Sequence, residues 1–137
     1  MKVVVVISCL LALASAGGLM AQTGKNCDAS LNLFTMNSFD VTPWPPHKNT
    51  NLVMVMSGTM NQAETLKSME IFVIYNGANF YHESVAESGT YAAGATANIT
   101  FKVYLPFIAP SGNYGVQVKL TNTAGAFLNC WEVDFTL

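Results

Sequence analysis

The dominant pattern in this chain is an alternation of apolar and polar residues, and a period of two is typical of β-strands rather than helices. The alternation is clear over residues 99–105, 114–120 and 131–136. Side chains that point alternately to two faces give a strand one buried and one exposed face, as in antiparallel sheets. No segment has a convincing period of 3.6, the period of an amphipathic helix. The sequence therefore predicts an all-β protein.

In two further segments, apolar residues occupy the positions of both strand faces. They are Leu52–Met56 and Ile71–Tyr75, and we expect them to be central strands, or strands whose outer face meets something apolar. The apolar phase also changes within residues 34–41. A β-bulge near Asn37-Ser38 would supply the extra residue that this change requires.

Turn-forming residues separate the strands. These residues are Pro43, Pro45, Pro46, Asn76-Gly77, Gly89, Gly94, Pro110-Ser111-Gly112-Asn113 and Thr123-Ala124-Gly125. Turns at such intervals predict one domain, an antiparallel sandwich of about seven strands. Residues 84–97 form the longest stretch without a clear strand, and loops of that length tend to be mobile or functional.

The first residues have the pattern of an export signal peptide. Lys2 supplies a positive charge, Val3–Leu13 an apolar run, and Ala14-Ser15-Ala16 a small-x-small cleavage motif. The apolar run is well short of the roughly 20 residues that a membrane anchor needs. We predict a signal peptide over residues 1–16, with an alternative cleavage after Ala21. The mature protein would then be secreted or enter the lysosomal or endosomal lumen.

Cleavage would remove Cys9 and leave Cys27 and Cys130. An even number of cysteines in an oxidising compartment predicts one disulfide. Closing so long a loop stabilises a fold by about 4–5 kcal/mol in the chain-entropy account. Zinc binding is a weak alternative, because the two cysteines have no ligand spacing relative to His47 and His82.

Asn98-Ile99-Thr100 is the one N-x-S/T triplet in the sequence. In a secreted chain Asn98 is a candidate for N-glycosylation, and the modified side chain would then have to face solvent.

Composition excludes several functions. Hydrophobic residues make up 51% of the chain and charged residues 10%, which excludes intrinsic disorder. The six basic residues are all Lys, and the formal net charge is −2. A nucleic-acid partner is therefore not expected, because such proteins carry a basic stripe that usually includes Arg.

No arrangement of residues indicates catalysis. The sequence lacks G-x-S-x-G, G-x-G-x-x-G, P-loop and H-E-x-x-H motifs. His47 and His82 are expected to be ordinary surface residues. Glu83 and Glu87 could approach one another, but nothing fixes the separation that paired-carboxylate chemistry requires. We expect no enzyme activity, no cofactor and no metal.

Three segments together resemble the ML lipid-recognition family, which includes lysosomal sterol carriers and phosphatidylglycerol/phosphatidylinositol transfer proteins. They are Pro110–Tyr114 with the strand after it, Leu128–Val133 with its Cys-Trp-Glu sequence, and Phe39–Pro45. The resemblance covers residues 27–137. It also matches Cys27 and Cys130 to the family's disulfide between the first and last parts of the domain.

The resemblance implies an immunoglobulin-like β-sandwich with an apolar cavity between the sheets. Carried over position by position, it places Val41, Val116, Val118 and Trp131 on the cavity wall. Strand parity extends this set of candidate lipid-binding residues to Phe39, Leu52, Met54, Met56, Ile71, Val73, Tyr75, Phe101, Val103, Leu105, Phe107, Val133 and Phe135. Apolar inward residues also occur in every solid sandwich, so parity alone does not establish a cavity.

The sequence departs from the family in one loop. Relatives have a disulfide-pinned Cys-Pro segment before the strand that starts here near Asn98, whereas residues 87–94 contain no cysteine. We therefore expect a looser loop at the cavity entrance.

Apolar residues predicted in or beside the entrance loops could contact a membrane surface transiently. They are Phe80, Tyr81, Tyr91, Phe107 and Ile108.

The sequence thus predicts a monomeric, non-catalytic lipid-binding or lipid-transfer protein with a sterol or phospholipid as cargo. Its methionines would help a cavity adapt to different lipids. They include Met36, Met54, Met56, Met60 and Met69. Two alternatives remain open: an immunoglobulin-like interaction module with a solid core, and a lipid-presenting activator of a lysosomal hydrolase.

Overall fold

The structure is a computed structural model that describes residues 24–137. The predicted signal peptide and both of its cleavage positions lie outside the described residues. The chain forms strands β1 (Lys25–Asn26), β2 (Phe34–Thr42), β3 (Thr50–Met60), β4 (Glu64–Tyr75), β5 (Ala78–Ala86), β6 (Thr90–Tyr91), β7 (Thr96–Leu105), β8 (Asn113–Asn122) and β9 (Trp131–Thr136). Within residues 24–137 there is no helix long and apolar enough to cross a membrane.

The strands form two antiparallel sheets. The large sheet has the order β1-β9-β8-β4-β5, with β6 paired to β4, and the small sheet has the order β2-β3-β7. Seven strands are six residues or longer, and β1 and β6 are two residues each. The all-β immunoglobulin-like sandwich of about seven strands is confirmed.

The positions of β3 and β4 explain their unusual composition. Each lies in the interior of its sheet, so the prediction of central strands for Leu52–Met56 and Ile71–Tyr75 is confirmed. The pairing of β2 with β3 shifts between Met36 and Ser38. This irregularity confirms the bulge that the change of apolar phase required.

The small sheet covers only part of the large one. The ring centroids of Phe39 on β2 and Trp131 on β9 are 6.2 Å apart, so β2 faces β9. The inward side chains of β8 and β4 are buried, among them Val118 and Ile71, so the remaining strands of the small sheet, β3 and β7, lie over β8 and β4. Strand β5 is the edge of the large sheet and extends past the small sheet.

Strand β5 is the element that the sequence pattern missed. It spans Ala78–Ala86, so residues 84–97 are not one long loop, and Phe80 and Tyr81 lie on a strand. Most of the β5 side chains are exposed on both faces. An edge strand in this position has no buried face to impose an alternating pattern, which is why the pattern did not reveal it.

A disulfide joins the first strand region to the last, as predicted. Cys27 and Cys130 are bonded and their Cα atoms are 5.1 Å apart. The Cys27 backbone amide also donates a hydrogen bond of 3.0 Å to the Cys130 carbonyl. The segment before β2 is therefore fixed beside β9.

Candidate functional site

The candidate site is the apolar space between the two sheets. Side chains from β2, β3 and β7 meet side chains from β4, β8 and β9 in one continuous cluster. The predicted inward direction of the strand side chains is confirmed, because sixteen of the seventeen candidate residues belong to this cluster or pack against it. They are Phe39, Val41, Leu52, Met54, Met56, Ile71, Val73, Tyr75, Phe101, Val103, Leu105, Val116, Val118, Trp131, Val133 and Phe135.

Aromatic rings line this interior. The Phe39 ring is 6.2 Å from that of Phe101, in an edge-to-face contact, and as close to that of Trp131. At the other end of the interior the Tyr114 ring stacks on Phe135 at 5.7 Å. The Phe39–Trp131 contact therefore crosses the gap between the sheets, whereas the other two ring contacts each lie within one sheet.

Phe107 is the exception, and its predicted interior position is wrong. Strand β7 ends at Leu105, and Pro106 has no amide hydrogen to continue the ladder. The chain then turns outward, so Phe107 is 72% and Ile108 73% exposed. The alternation of inward and outward side chains holds only within a strand, so it does not predict the direction of a side chain beyond the last strand residue.

One long side of the sandwich is not closed by hydrogen bonds between the sheets. Strand β5 ends the large sheet and β7 ends the small sheet, and the two do not pair. We call this gap the open side. Val73 on β4 is 8% exposed, whereas Tyr81, its partner on β5, is 56% exposed. Burial thus falls sharply from β4 to β5, as expected where the small sheet no longer covers the large one.

Exposed apolar side chains also gather at one end of the sandwich. Trp44, Phe80, Phe107 and Ile108 are all exposed, and we call this surface the apolar end. Hydrogen bonds hold its loops together: Lys48 Nζ donates to Ser111 Oγ at 3.1 Å, and Tyr75 Oη donates to the Ser111 carbonyl at 2.7 Å. The Tyr75 ring is 5.5 Å from that of Phe80, which connects β5 to the same end.

Tyr91 has a different position from the other predicted entrance residues. It lies on β6, which pairs with β4 at Glu64 and Thr65. Its side chain is partly buried against the core. Tyr91 is therefore a packing residue near the opposite end of the sandwich.

The outer face of the large sheet is polar and hydrogen-bonded. Glu70 Oε2 accepts hydrogen bonds from Ser84 at 2.6 Å and from Ser68 at 2.7 Å. Its Oε1 lies 2.8 Å from Nε2 of His82, whose ring stacks on Phe72 at 4.4 Å. The Ser84 hydrogen bond is the main cause that lowers the pKa of Glu70 below its usual 4.5. His82 is thus an exposed residue of the outer face.

A second charged cluster lies on the same outer face. Lys25 Nζ is 3.1 Å from Asp134 Oδ2 and 3.9 Å from Glu132 Oε2. The neighbouring Asp134 raises the pKa of Glu132 above its usual value. Within residues 24–137 no group of three or more His, Cys, Asp or Glu side chains could hold a metal ion.

Two shallow cavities also lie on the outside of the large sheet. One, of about 360 Å³, is lined by residues that include Ile74, Gly115 and Asp134. The other, of about 540 Å³, is lined by residues that include Glu70, Ser84 and Phe127. Neither lies between the sheets, and the cavity between the sheets stays a prediction.

Several interior residues were not in the predicted site set. Parity would have found Ile99, Tyr114 and Leu120, because they lie on the apolar phase of β7 and β8. Phe34, Met60, Leu66, Met69 and Leu128 are also buried. Leu66 was hidden because the register of β4 against β8 shifts between Leu66 and Ser68, which breaks the alternation.

Comparison with known proteins identifies the same architecture. The sequence model of the ML domain family matches residues 22–137. A protein of Dictyostelium discoideum named as a phosphatidylglycerol/phosphatidylinositol transfer protein is 28% identical over 127 residues, which cover 85% of this chain and 83% of that protein. A second protein of that name and organism is 24% identical, and the alignment covers 100% of both chains.

Two solved structures have a similar fold. A Niemann–Pick type C2 protein from the Japanese carpenter ant superposes with a TM-score of 0.69 at 7% identity, covering 84% of this chain and 98% of that one. Chicken MD-1, crystallised in complex with lipid IVa, superposes with a TM-score of 0.55 at 20% identity, covering 82% and 84%. At these identities the likeness concerns the fold.

Proposed function

The chain belongs to the ML domain family, and from that premise we propose that it is a non-catalytic lipid-binding or lipid-transfer protein. Its cargo is a sterol or phospholipid whose apolar part lies between the two sheets. The observation that carries this proposal is the continuous apolar cluster on the facing sides of both sheets, next to a side that interstrand hydrogen bonds do not close. The names of the relatives and the lipid complex of chicken MD-1 support it.

A lipid tail must displace contacts that the interior side chains now make with one another. Burying about 400 Å² of apolar ligand surface gains on the order of 10 kcal/mol before the costs of ordering and of moving the sheets. Met54, Met56 and Met69 lie fully buried in the interior, and methionine side chains adapt readily to a new shape. The sheets would part at the open side, where no ladder hydrogen bonds need to break.

The apolar end is the proposed site of transient contact with a membrane surface. Phe107 and Ile108 are 72% and 73% exposed, and Trp44 and Lys48 lie on the loop held next to them through Ser111. Trp and Lys side chains are favoured at membrane–water interfaces. Docking there would let a lipid pass without crossing bulk water.

The compartment, the glycan and the oligomeric state are further parts of the proposal. A signal peptide would send the chain to the outside of the cell or to the lysosomal or endosomal lumen. Asn98 and Thr100 are both exposed on the outer face of β7, so the triplet is accessible to glycosylation. Transfer of one lipid requires only one sandwich, and we propose a monomer.

Tryptophan fluorescence tests lipid binding. The Trp44→Phe variant leaves Trp131, whose ring packs against Phe39 in the interior, as its tryptophan probe. Titration with dehydroergosterol should quench Trp131 by energy transfer. The matched Trp131→Phe variant, with Trp44 at the apolar end, should respond less because its probe is farther from the interior. The proposal would be contradicted if neither variant showed saturable quenching, either with dehydroergosterol or with a labelled phospholipid.

One observation favours a second candidate, an interaction module with a solid core. The interior side chains contact one another, and several, such as Leu52 and Val118, are fully buried. Organic extraction and mass spectrometry of protein purified from its native source distinguish the two. A lipid carrier yields a stoichiometric lipid, whereas a solid module yields none.

A further inference from the structure

Glu83 is the acidic residue on the inward face of the edge strand β5. It pairs in register with Ile71 of β4, a fully buried residue of the interior. Because paired residues of adjacent strands project to the same face of a sheet, the Glu83 side chain points to the side that faces the small sheet. Tyr81 and Val85 flank it on that face, paired with Val73 and Met69. Glu83 therefore lies on the rim of the open side.

The residue Glu83 is half-buried, and its carboxylate makes no hydrogen bond or ion pair with any of residues 24–137. The contrast with Glu70 is informative, because Glu70 lies on the outer face of the adjacent strand. Glu70 accepts hydrogen bonds from two serines and contacts His82. A carboxylate on an apolar rim is costly unless it meets water or a hydrogen-bond donor.

No cationic side chain of the described chain faces this rim. Two of the five lysines among residues 24–137 lie on the outer face of the large sheet: Lys25 beside Asp134 and Lys119 over the rings of Phe72 and Phe127.

The other three lysines also point elsewhere. Lys67 lines the outer cavity next to Glu70, and Lys48 bonds to Ser111 at the apolar end. Lys102 is on the outer phase of β7, between inward Phe101 and Val103. The rim of the open side therefore carries a negative charge without a described positive partner.

We infer that Glu83 selects the polar head of the cargo at the open side, and this inference rests on the proposed function. It favours lipids whose head offers a hydrogen-bond donor and has no net negative charge. A hydroxyl or ammonium group would donate to the carboxylate. A head with a net negative charge would be repelled, because no cation of the described chain offsets the charge of Glu83.

Transfer between vesicles tests the inference. Donor vesicles of phosphatidylcholine contain either dehydroergosterol, whose head is a hydroxyl group, or pyrene-labelled phosphatidylglycerol, whose head is anionic. The proteins compared are the wild type, Glu83→Gln and Glu83→Lys. The matched control, Asp134→Asn, removes one negative charge from an exposed position on the outer face. A thermal melt of each variant checks that it is folded.

We expect the ratio of phosphatidylglycerol to dehydroergosterol transfer to rise about tenfold in Glu83→Gln, equivalent to about 1.4 kcal/mol. It should rise further in Glu83→Lys and stay unchanged in Asp134→Asn. An unchanged ratio in both Glu83 variants, while the wild type transfers lipid, overturns the inference and leaves the proposed function intact. Failure of the wild type to bind or transfer either probe overturns both.

Discussion

At the scale of single residues, Glu70 shows how the structure uses a carboxylate for stability. Its oxygens are satisfied by Ser68, Ser84 and His82. These hydrogen bonds favour the charged form, which is why the pKa of Glu70 is lowered. Glu70 thereby fixes β5 to β4 from the outer face.

Replacing Glu70 with Gln should lower the free energy of unfolding by about 1–2 kcal/mol at neutral pH, because charge-assisted hydrogen bonds are lost. A group with a lowered folded pKa contributes stability above its unfolded pKa, here near 4.5, and loses it as pH falls through the folded value. Urea unfolding measures this effect. The difference in the free energy of unfolding between the wild type and the variant should therefore become smaller as the pH is lowered from about 5.5 to about 3. A difference that stays constant over this range would contradict the assignment.

Gly58 is a position where a single methyl group should disrupt packing. A Cβ there would meet the ring of Phe34 and lie 2.6 Å from the Thr35 carbonyl oxygen. Gly58→Ala should lower the free energy of unfolding by about 1–3 kcal/mol, a typical result of overpacking. Gly115→Ala is the control, because its nearest neighbour is 3.1 Å away on the Asp134 carboxylate. If chemical denaturation gave equal losses of stability for the two substitutions, the close contacts at Gly58 would not explain the loss.

At the scale of elements, the sequence predicted those strands that bury one face completely. Strands β7, β8 and β9 keep a strict period of two because their inward residues enter the core. Strand β5 was missed because it has no buried face, and Phe107 was misplaced because parity was continued beyond Pro106. A periodic sequence pattern arises because one face of a strand is buried. The exposed parts of the candidate site have no such pattern and could not be predicted from it.

The loop after β7 should govern transfer between membranes. Replacing Phe107 and Ile108 together with Ser removes two exposed apolar side chains from the apolar end. Each contributes about 1.5–3 kcal/mol if fully buried, so the rate of vesicle-to-vesicle transfer should fall at least about tenfold while lipid binding in solution persists. Val55→Ser, an exposed apolar residue on the outer face of the small sheet, should leave the rate unchanged. An unchanged rate in the double variant would contradict membrane docking by this loop.

At the scale of the whole molecule, one disulfide closes most of the described chain into a loop. Cys27 and Cys130 are 103 positions apart in sequence. Replacing both with Ser should lower the free energy of unfolding by about 4–5 kcal/mol, because the unfolded chain regains the entropy of the open loop. Denaturant titrations of the oxidised wild type and the double variant measure this difference. A loss below about 1 kcal/mol would mean that the loop constraint contributes little here.

The central claim is that a lipid lies between the two sheets of this sandwich. Photocrosslinking with a lipid that carries a diazirine at the end of its tail, followed by peptide mass spectrometry, tests the claim directly. We predict labels on inward residues of β3, β8 and β9, such as Met54, Val118 and Val133, at one lipid per chain and in competition with unlabelled lipid. Labels confined to the outer faces of the sheets, or no saturable labelling, would contradict the account.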